Sequence, residues 1–311
     1  RVVIGVERVR AWRWMAVDEP QNLTIEARKV EGDPDRVRVS IGDYIEGTAL
    51  VADGYPEPPA PDQRTGPGEE ELGMDAATMY ARRWMFHGPA YQAVSELGAI
   101  GDQTMRGKVK RLEAEGSLLD GAGQMFGLWI SLRMKTDRMA LPVRVENVRF
   151  FEPPPPVGTQ FECTTWIRSC GERQVIGDIE LVREGRVHAR LEGWEDRRFE
   201  SNEREWLVIR YPERNLLAIP RTDVPGCTWL PEGYRSTATR DYYARRFLDG
   251  PGFAFYRGLM PKRQLDWLSR RIVAVDAVRP FLFSPGRASV FPVDAVLSTA
   301  HPCRSAFPLE S

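Results

Sequence analysis

Histidine and lysine are the scarce residues of this 311-residue chain: three histidines, and five lysines against 38 arginines. Three histidines leave few imidazoles to serve as a base or a metal ligand. The four cysteines (Cys163, Cys170, Cys227 and Cys303) include no Cys-x-x-Cys pair. That excludes a zinc ribbon, offers no disulfide framework, and suits a reducing, cytoplasmic compartment. An excess of one charge is missing too, since 43 Lys plus Arg face 44 Asp plus Glu for a net charge of −1. No field is left to hold nucleic acid or an anionic membrane. No apolar run approaches the roughly 18 residues that a membrane-spanning helix needs. Phosphate loops, dinucleotide fingerprints, Gly-x-Ser-x-Gly elbows and His-Glu-x-x-His metal sites are likewise absent. What remains is ordinary globular material, 42% apolar and 28% charged. Its length predicts about two domains.

Residues 1–52 read as strands. Leu23, Ile25 and Ala27 alternate with polar residues, as do Val37, Val39 and Ile41 after the Gly32-Asp33-Pro34 turn. A period of two with one apolar face predicts half-buried antiparallel strands. No amphipathic helix in that stretch covers the face, so a sheet without a lid is expected. Arg10-Ala11-Trp12-Arg13-Trp14 interleaves cations and aromatics, which at neutral overall charge reads as arginine stems packed over a strand. Residues 53–72 are rich in Pro, Gly and acids, as in Tyr55-Pro56-Glu57-Pro58-Pro59. They predict a linker, or else an extended surface loop.

Residues 73–200 form the best-defined unit. A short helix and loop lead to Phe86-His87-Gly88-Pro89-Ala90-Tyr91-Gln92, and a strand is expected near 103–112. Leu119, Ala122, Phe126, Trp129 and Ile130 then give helical spacing with apolar residues on most faces, which marks a buried helix. Four strands follow, at 141–150, 160–168, 174–182 and 186–193, and Glu184-Gly185 predicts a tight hairpin between the last two. One buried helix wrapped by a curled antiparallel sheet is an α+β, hot-dog arrangement. His188 falls at an even, outward strand position and is expected at the surface. Residues 201–236 read as a connector. In 237–311 the clearest element is an amphipathic helix from Pro261 to Phe283, with Leu265, Leu268, Ile272, Val275 and Val278 on one stripe.

Asp120 is the sharpest chemical candidate. A carboxylate at the head of an apolar, glycine-rich helix gains from the helix dipole, while its apolar surroundings favour the protonated form. A group balanced between the two can hand a proton to a leaving hydroxyl. Gln124, one turn on, shares its face. The alternative is that Asp120 merely caps the helix.

Leu118-Leu119-Asp120-Gly121-Ala122-Gly123-Gln124 resembles the Leu-Leu-Asp-Ala-x-x-Gln motif of polyketide synthase dehydratase domains. The 86–92 segment resembles the His/Tyr-Gly-Pro-x-Phe/Tyr-Gln motif that precedes it there, and Leu141–Val148 looks like the strand that follows. The resemblance implies a double hot-dog, here with its first half incomplete, that removes water from a β-hydroxyacyl chain held through phosphopantetheine on an acyl carrier protein. It implies Asp120 as the catalytic acid. Gln124, His87, Tyr91, Phe126 and Trp129 would then surround the substrate, with His87 bonding backbone groups or lining the acyl tunnel. No cofactor or metal is implied for dehydration. The family's base is a histidine in a His-x-x-x-Gly-x-x-x-x-Pro motif. None of His87, His188 and His301 has that spacing, so the resemblance puts the base ahead of Arg1. The chain opens on Arg1 with no Met and no signal-peptide pattern. It is therefore expected to be a piece of a type I synthase, inactive and poorly soluble by itself because the lidless sheet exposes apolar surface.

The helix from Pro261, with Trp267-Leu268, Arg271 and Asp276-Ala277-Val278-Arg279, is similar to a helix of 4′-phosphopantetheinyl transferases. Arg270 and Val275 depart from that pattern. The similarity implies a partial α+β domain in which Arg271 meets coenzyme A, with Mg2+ if the domain is completed. A dehydratase followed by a transferase is the order found in iterative, enediyne-like synthases. Implied partners are the carrier protein, other synthase domains in cis and a second copy in a homodimer. Besides dehydration, the sequence leaves open phosphopantetheinyl transfer and a non-catalytic hot-dog that docks the acyl chain.

Overall fold

Gly116 sets where the central helix starts. Its φ of 77° lies in the left-handed region, and the chain turns there into α2 (Ser117–Arg133). In this computed structural model, which describes residues 1–13, 15, 20–224, 227–231, 237–283 and 290–295, the chain divides into two compact units, Arg1–Phe199 and Glu200–Ser311. In the first, α2 buries Leu118, Ala122, Met125, Phe126, Leu128, Trp129 and Ile130. An apolar surface on nearly every side needs a wrapper, and the sheet supplies it.

The strands are β1 (Val2–Ala11), β2 (Ile25–Val30), β3 (Asp33–Ile41), β4 (Ile45–Ala52), β5 (Glu70–Glu71), β6 (Val94–Ile100), β7 (Thr104–Lys110), β8 (Ala140–Phe150), β9 (Gln160–Cys170), β10 (Gln174–Arg183) and β11 (Arg186–Arg198). They form one antiparallel sheet in the order β2-β3-β4-β1-β8-β11-β10-β9-β7-β6-β5. Strands β6 to β11 curl around α2, and Val109, Cys163, Val175, Ile179, Leu181 and Leu191 close the core. Glu184 and Gly185 take φ of 52° and 73°, the left-handed pair that a two-residue hairpin requires. A short helix, α1 (Ala76–Ala81), opens at Asp75, whose side chain accepts from the Thr78 N–H. At the other end of the sheet, Ile25 pairs with Ile41 and Ala27 with Val39, and Ile25 is 67% exposed. The apolar face read in residues 1–52 is present, and no described helix of the first unit covers it.

Two expectations change. Of the two readings of 53–72, the linker gives way to the extended surface segment, a strap on the outer face of the sheet. Arg190 of β11 donates to the Ala60 carbonyl (3.4 Å), and the Asp62 N–H donates to Glu180 of β10 (2.9 Å). The Arg64 guanidinium stacks over Trp166 of β9, and Arg106 of β7 donates to the Arg64 carbonyl. Extended proline-rich backbone makes no hydrogen bonds of its own, so these side chains supply them. His188 is buried at 4% exposure, not at the surface. It packs on Phe161 and approaches Glu152 Oε2 at 3.4 Å. The register shift between Leu181↔Ala189 and Val182↔Val187 leaves His188 as the extra residue of a bulge, where simple alternation fails.

The second unit is helical: α3 (Glu203–Arg210), α4 (Thr237–Phe247), α5 (Gly250–Arg257) and α6 (Pro261–Leu282), with a two-residue strand pair, β12 (Ile219–Pro220) and β13 (Thr228–Trp229). The expected connector thus holds α3, started by a capping box between Asn202 and Glu205. Helix α6 buries Leu268, Ile272 and Val275 as expected, but Val278 is 40% exposed and the stripe ends on Asp276 and Arg279. Their ion pair (2.9 Å) is fully buried. Asp276 accepts from the Leu217 and Ala218 N–H groups, while Arg279 donates to the carbonyls of Asn215, Val290 and Pro212. A buried charge pair persists when its remaining donors and acceptors are satisfied in this way. The α+β character expected for 237–311 does not appear among the described residues, and His301 and Cys303 lie outside them. No described helix is long and apolar enough to cross a membrane.

Candidate active site

Asp120 lies in the first turn of α2, four residues after Gly116, whose carbonyl accepts its N–H at 2.9 Å. Gly116 occupies the N-cap position, so the capping role considered for Asp120 is filled by another residue. Its side chain is free to turn toward the 86–92 loop. The carboxylate is 38% exposed, enough for a substrate to reach, while the groups behind it are buried.

Gln124 Nε2 donates to Asp120 Oδ2 and to the Tyr91 carbonyl, each at 2.6 Å. Its Oε1 accepts from the Tyr80 hydroxyl at 2.6 Å, and the Tyr80 oxygen accepts the Val94 N–H at 2.9 Å. Gln124 is 3% exposed, so this chain runs through protein rather than water. Burial pushes the Tyr80 hydroxyl well above its usual range, which keeps it protonated and able to donate. His87 Nε2 stands 3.5 Å from the same Oδ2, closer to an electrostatic contact than a good hydrogen bond. Its Nδ1 is buried without a hydrogen-bond partner, and Phe86 stacks on the ring at 4.4 Å. Burial lowers the proton affinity of His87, and the Asp120 charge opposes that shift. Gln92 Nε2 donates to the His87 carbonyl at 3.0 Å and fixes the loop.

Of the residues expected around a substrate, Asp120, Gln124, His87 and Tyr91 come together. Tyr91 contributes its carbonyl, while its hydroxyl donates away to the Glu115 carbonyl (3.0 Å). Phe126 and Trp129 sit deeper, inside the closed core. Phe126 is fully buried, and the Trp129 indole donates to the Gly101 carbonyl at 3.0 Å. Arg271 belongs to α6 in the second unit, where its Nη2 reaches the Ala295 carbonyl at 3.5 Å. Sequence reasoning missed Tyr80. It lies on a six-residue helix with no motif of its own, and only the tertiary contact shows its role. Among the described residues, no group of three or more His, Cys, Asp or Glu could hold a metal ion.

The family model described as polyketide synthase dehydratase N-terminal domain matches residues 56–205. The match ends before α6, and nothing in the comparisons supports the phosphopantetheinyl transferase-like domain expected there. No curated protein matches the chain. Among solved structures, the dehydratase domain of a mycocerosic acid synthase-like polyketide synthase aligns at 18% identity and a TM-score of 0.50, over 65% of this chain and 76% of that one. An inactive mutant of the CurJ dehydratase, with one histidine replaced by phenylalanine, aligns at 14% identity and 0.50, over 63% and 75%. These likenesses bear on the fold, which is the hot-dog of β6 to β11 around α2. The family match, over just under half of the chain, makes the 56–205 segment similar to polyketide synthase dehydratase domains.

Proposed function

We propose that the domain eliminates water from a β-hydroxyacyl thioester carried on an acyl carrier protein, with Asp120 as the acid. The observation that carries this reading is the Asp120 carboxylate, reachable from outside yet held by Gln124 at the head of a buried helix. In the elimination the Cα–H and Cβ–O bonds break and the Cα–Cβ double bond forms. Asp120 gives its proton to the departing hydroxyl, which leaves as water, and a base takes the α-proton. The base is proposed to be a histidine of the other hot-dog half, which by the motif order would precede Arg1. His87 is not given that task, because its Nε2 faces Asp120 Oδ2. It is read instead as a neighbour that biases the carboxylate. The substrate brings its own phosphopantetheine arm, and the remaining synthase domains are expected in cis.

Asp120→Asn in the full-length protein tests this. A β-hydroxybutyryl pantetheine thioester should be converted to the enoyl product at least ~100-fold more slowly, the scale expected for loss of a general acid. Far-UV circular dichroism should be unchanged. Undiminished turnover would remove Asp120 from the mechanism.

A further inference from the structure

We infer that Tyr80 is a positioning residue for Asp120, acting through the side-chain amide of Gln124. The inference rests on Asp120 being the acid. It starts from a question of direction, because a glutamine amide can present either its oxygen or its nitrogen to a neighbour. Facing Asp120 with the oxygen would set two acceptors against each other. Facing it with the nitrogen holds the carboxylate.

The direction is set by the partners of both amide atoms. The Val94 N–H is fixed in the backbone of β6 and can only donate, and it points at the Tyr80 oxygen at 2.9 Å. With that lone pair engaged, the Tyr80 hydroxyl hydrogen is available to donate onward, and at 2.6 Å it meets the amide oxygen of Gln124. The amide nitrogen is then turned the other way. Its two hydrogens meet two acceptors at 2.6 Å, the Tyr91 carbonyl and Asp120 Oδ2. Each hydrogen-bonding atom in the series has one consistent role, and reversing the amide would set its oxygen against two acceptors, the Tyr91 carbonyl and Asp120 Oδ2.

The consequence for the acid concerns which oxygen carries the proton. Oδ2 accepts from Gln124 and faces His87 Nε2 at 3.5 Å, so it is the anchored oxygen. Oδ1 is left to carry the transferable proton. A carboxylic acid that can rotate spends part of its time with that proton misdirected, and fixing one oxygen removes this loss. Tyr80 therefore affects the rate of proton delivery without touching the substrate.

A double-mutant cycle in the full-length protein, assayed with β-hydroxybutyryl pantetheine thioester, tests the inference. Tyr80→Phe should lower kcat about tenfold and leave KM within about twofold, as expected for lost transition-state positioning. Gln124→Ala should lower kcat at least as much. The double variant should be no slower than Gln124→Ala alone, because Tyr80 has no route to Asp120 without the amide. Losses that multiply, or an unchanged kcat in Tyr80→Phe, would overturn it while leaving Asp120 in place. Turnover surviving Asp120→Asn would instead overturn the functional reading. If Tyr80→Phe fails to fold, the wild-type protein still decides the matter. Both side-chain amide protons of Gln124 should show slowed hydrogen exchange by NMR, and exchange at the rate of a free amide would refute the arrangement.

Discussion

Asp196→Asn changes a single buried atom pair on β11 and should change how stability depends on pH. Asp196 is 2% exposed, and its Oδ1 accepts from the Trp194 indole at 2.7 Å. Burial pushes its carboxyl up to about 7, with the neighbouring Glu195 charge adding and the indole bond opposing. An unfolded aspartate titrates at about 3.9. Below that value both states hold the proton, and the residue costs nothing. Between about 4 and 7 the unfolded chain ionises while the folded one does not, so the native state loses roughly 1.4 kcal/mol per pH unit. Above about 7 the penalty levels off at about 4 kcal/mol. Asparagine keeps the oxygen that accepts from Trp194 and removes the titration. Its buried NH2 group introduces a pH-independent cost of about 1–3 kcal/mol. The stability difference, variant minus wild type, should therefore climb by roughly 4 kcal/mol from pH 4 to pH 7.5, whatever its starting offset. Urea unfolding midpoints of the two proteins, followed by far-UV circular dichroism across that range, measure it. Every other titrating group cancels in the comparison. Two stability curves that run parallel would refute the argument.

Two further sites of the first unit test packing and burial. A Cβ on Gly123 would lie 2.6 Å from the Trp194 ring, which the Asp196 bond holds in place. Gly123→Ala should cost about 1–3 kcal/mol in unfolding free energy, and Trp194→Leu in the same protein should recover part of it. No recovery would mean that the ring is not the obstacle. His188 is kept neutral by burial, with Glu152 opposing the shift and the Arg183 charge reinforcing it. Its unfolded form gains a proton below about 6.5, so the native state loses stability as pH falls through that value. His188→Gln should flatten that decline in thermal melts between about pH 6.5 and 5, and an unchanged slope would assign the loss elsewhere.

Much of the hot-dog was legible because its periodicities are clean. Helix α2 and strands β8 to β11 carry long apolar runs at helical or alternating spacing, and they start within a residue or two of where the pattern put them, although bulges interrupt β8 and β11. Strand β6 escaped because its buried residues, Val94, Leu97 and Ile100, fall every third position across two register shifts. Period-two reasoning cannot recover a bulged strand. Helix α3 could have been found, since Asn202 and Glu205 carry a capping box in plain view. At the site, Asp120 and Gln124 were readable from i, i+4 spacing. Tyr80 was not, because its bond to Gln124 spans 44 positions and leaves no periodic trace.

The strap has a consequence for the order in which the chain can assemble. Strand β1 pairs with β8, setting Gly5 against Arg149, while the strap between them runs over β11, β10, β9 and β7. During synthesis, β1 to β4 leave the ribosome with neither β8 to dock on nor an outer face for the strap to grip. They lack both of these contacts until the helix and the later strands have emerged. Contacts of such sequence separation make for slow folding and a long exposure of unpaired edges. Proteolytic nicking of nascent chains should therefore find the strap open until β11 is complete.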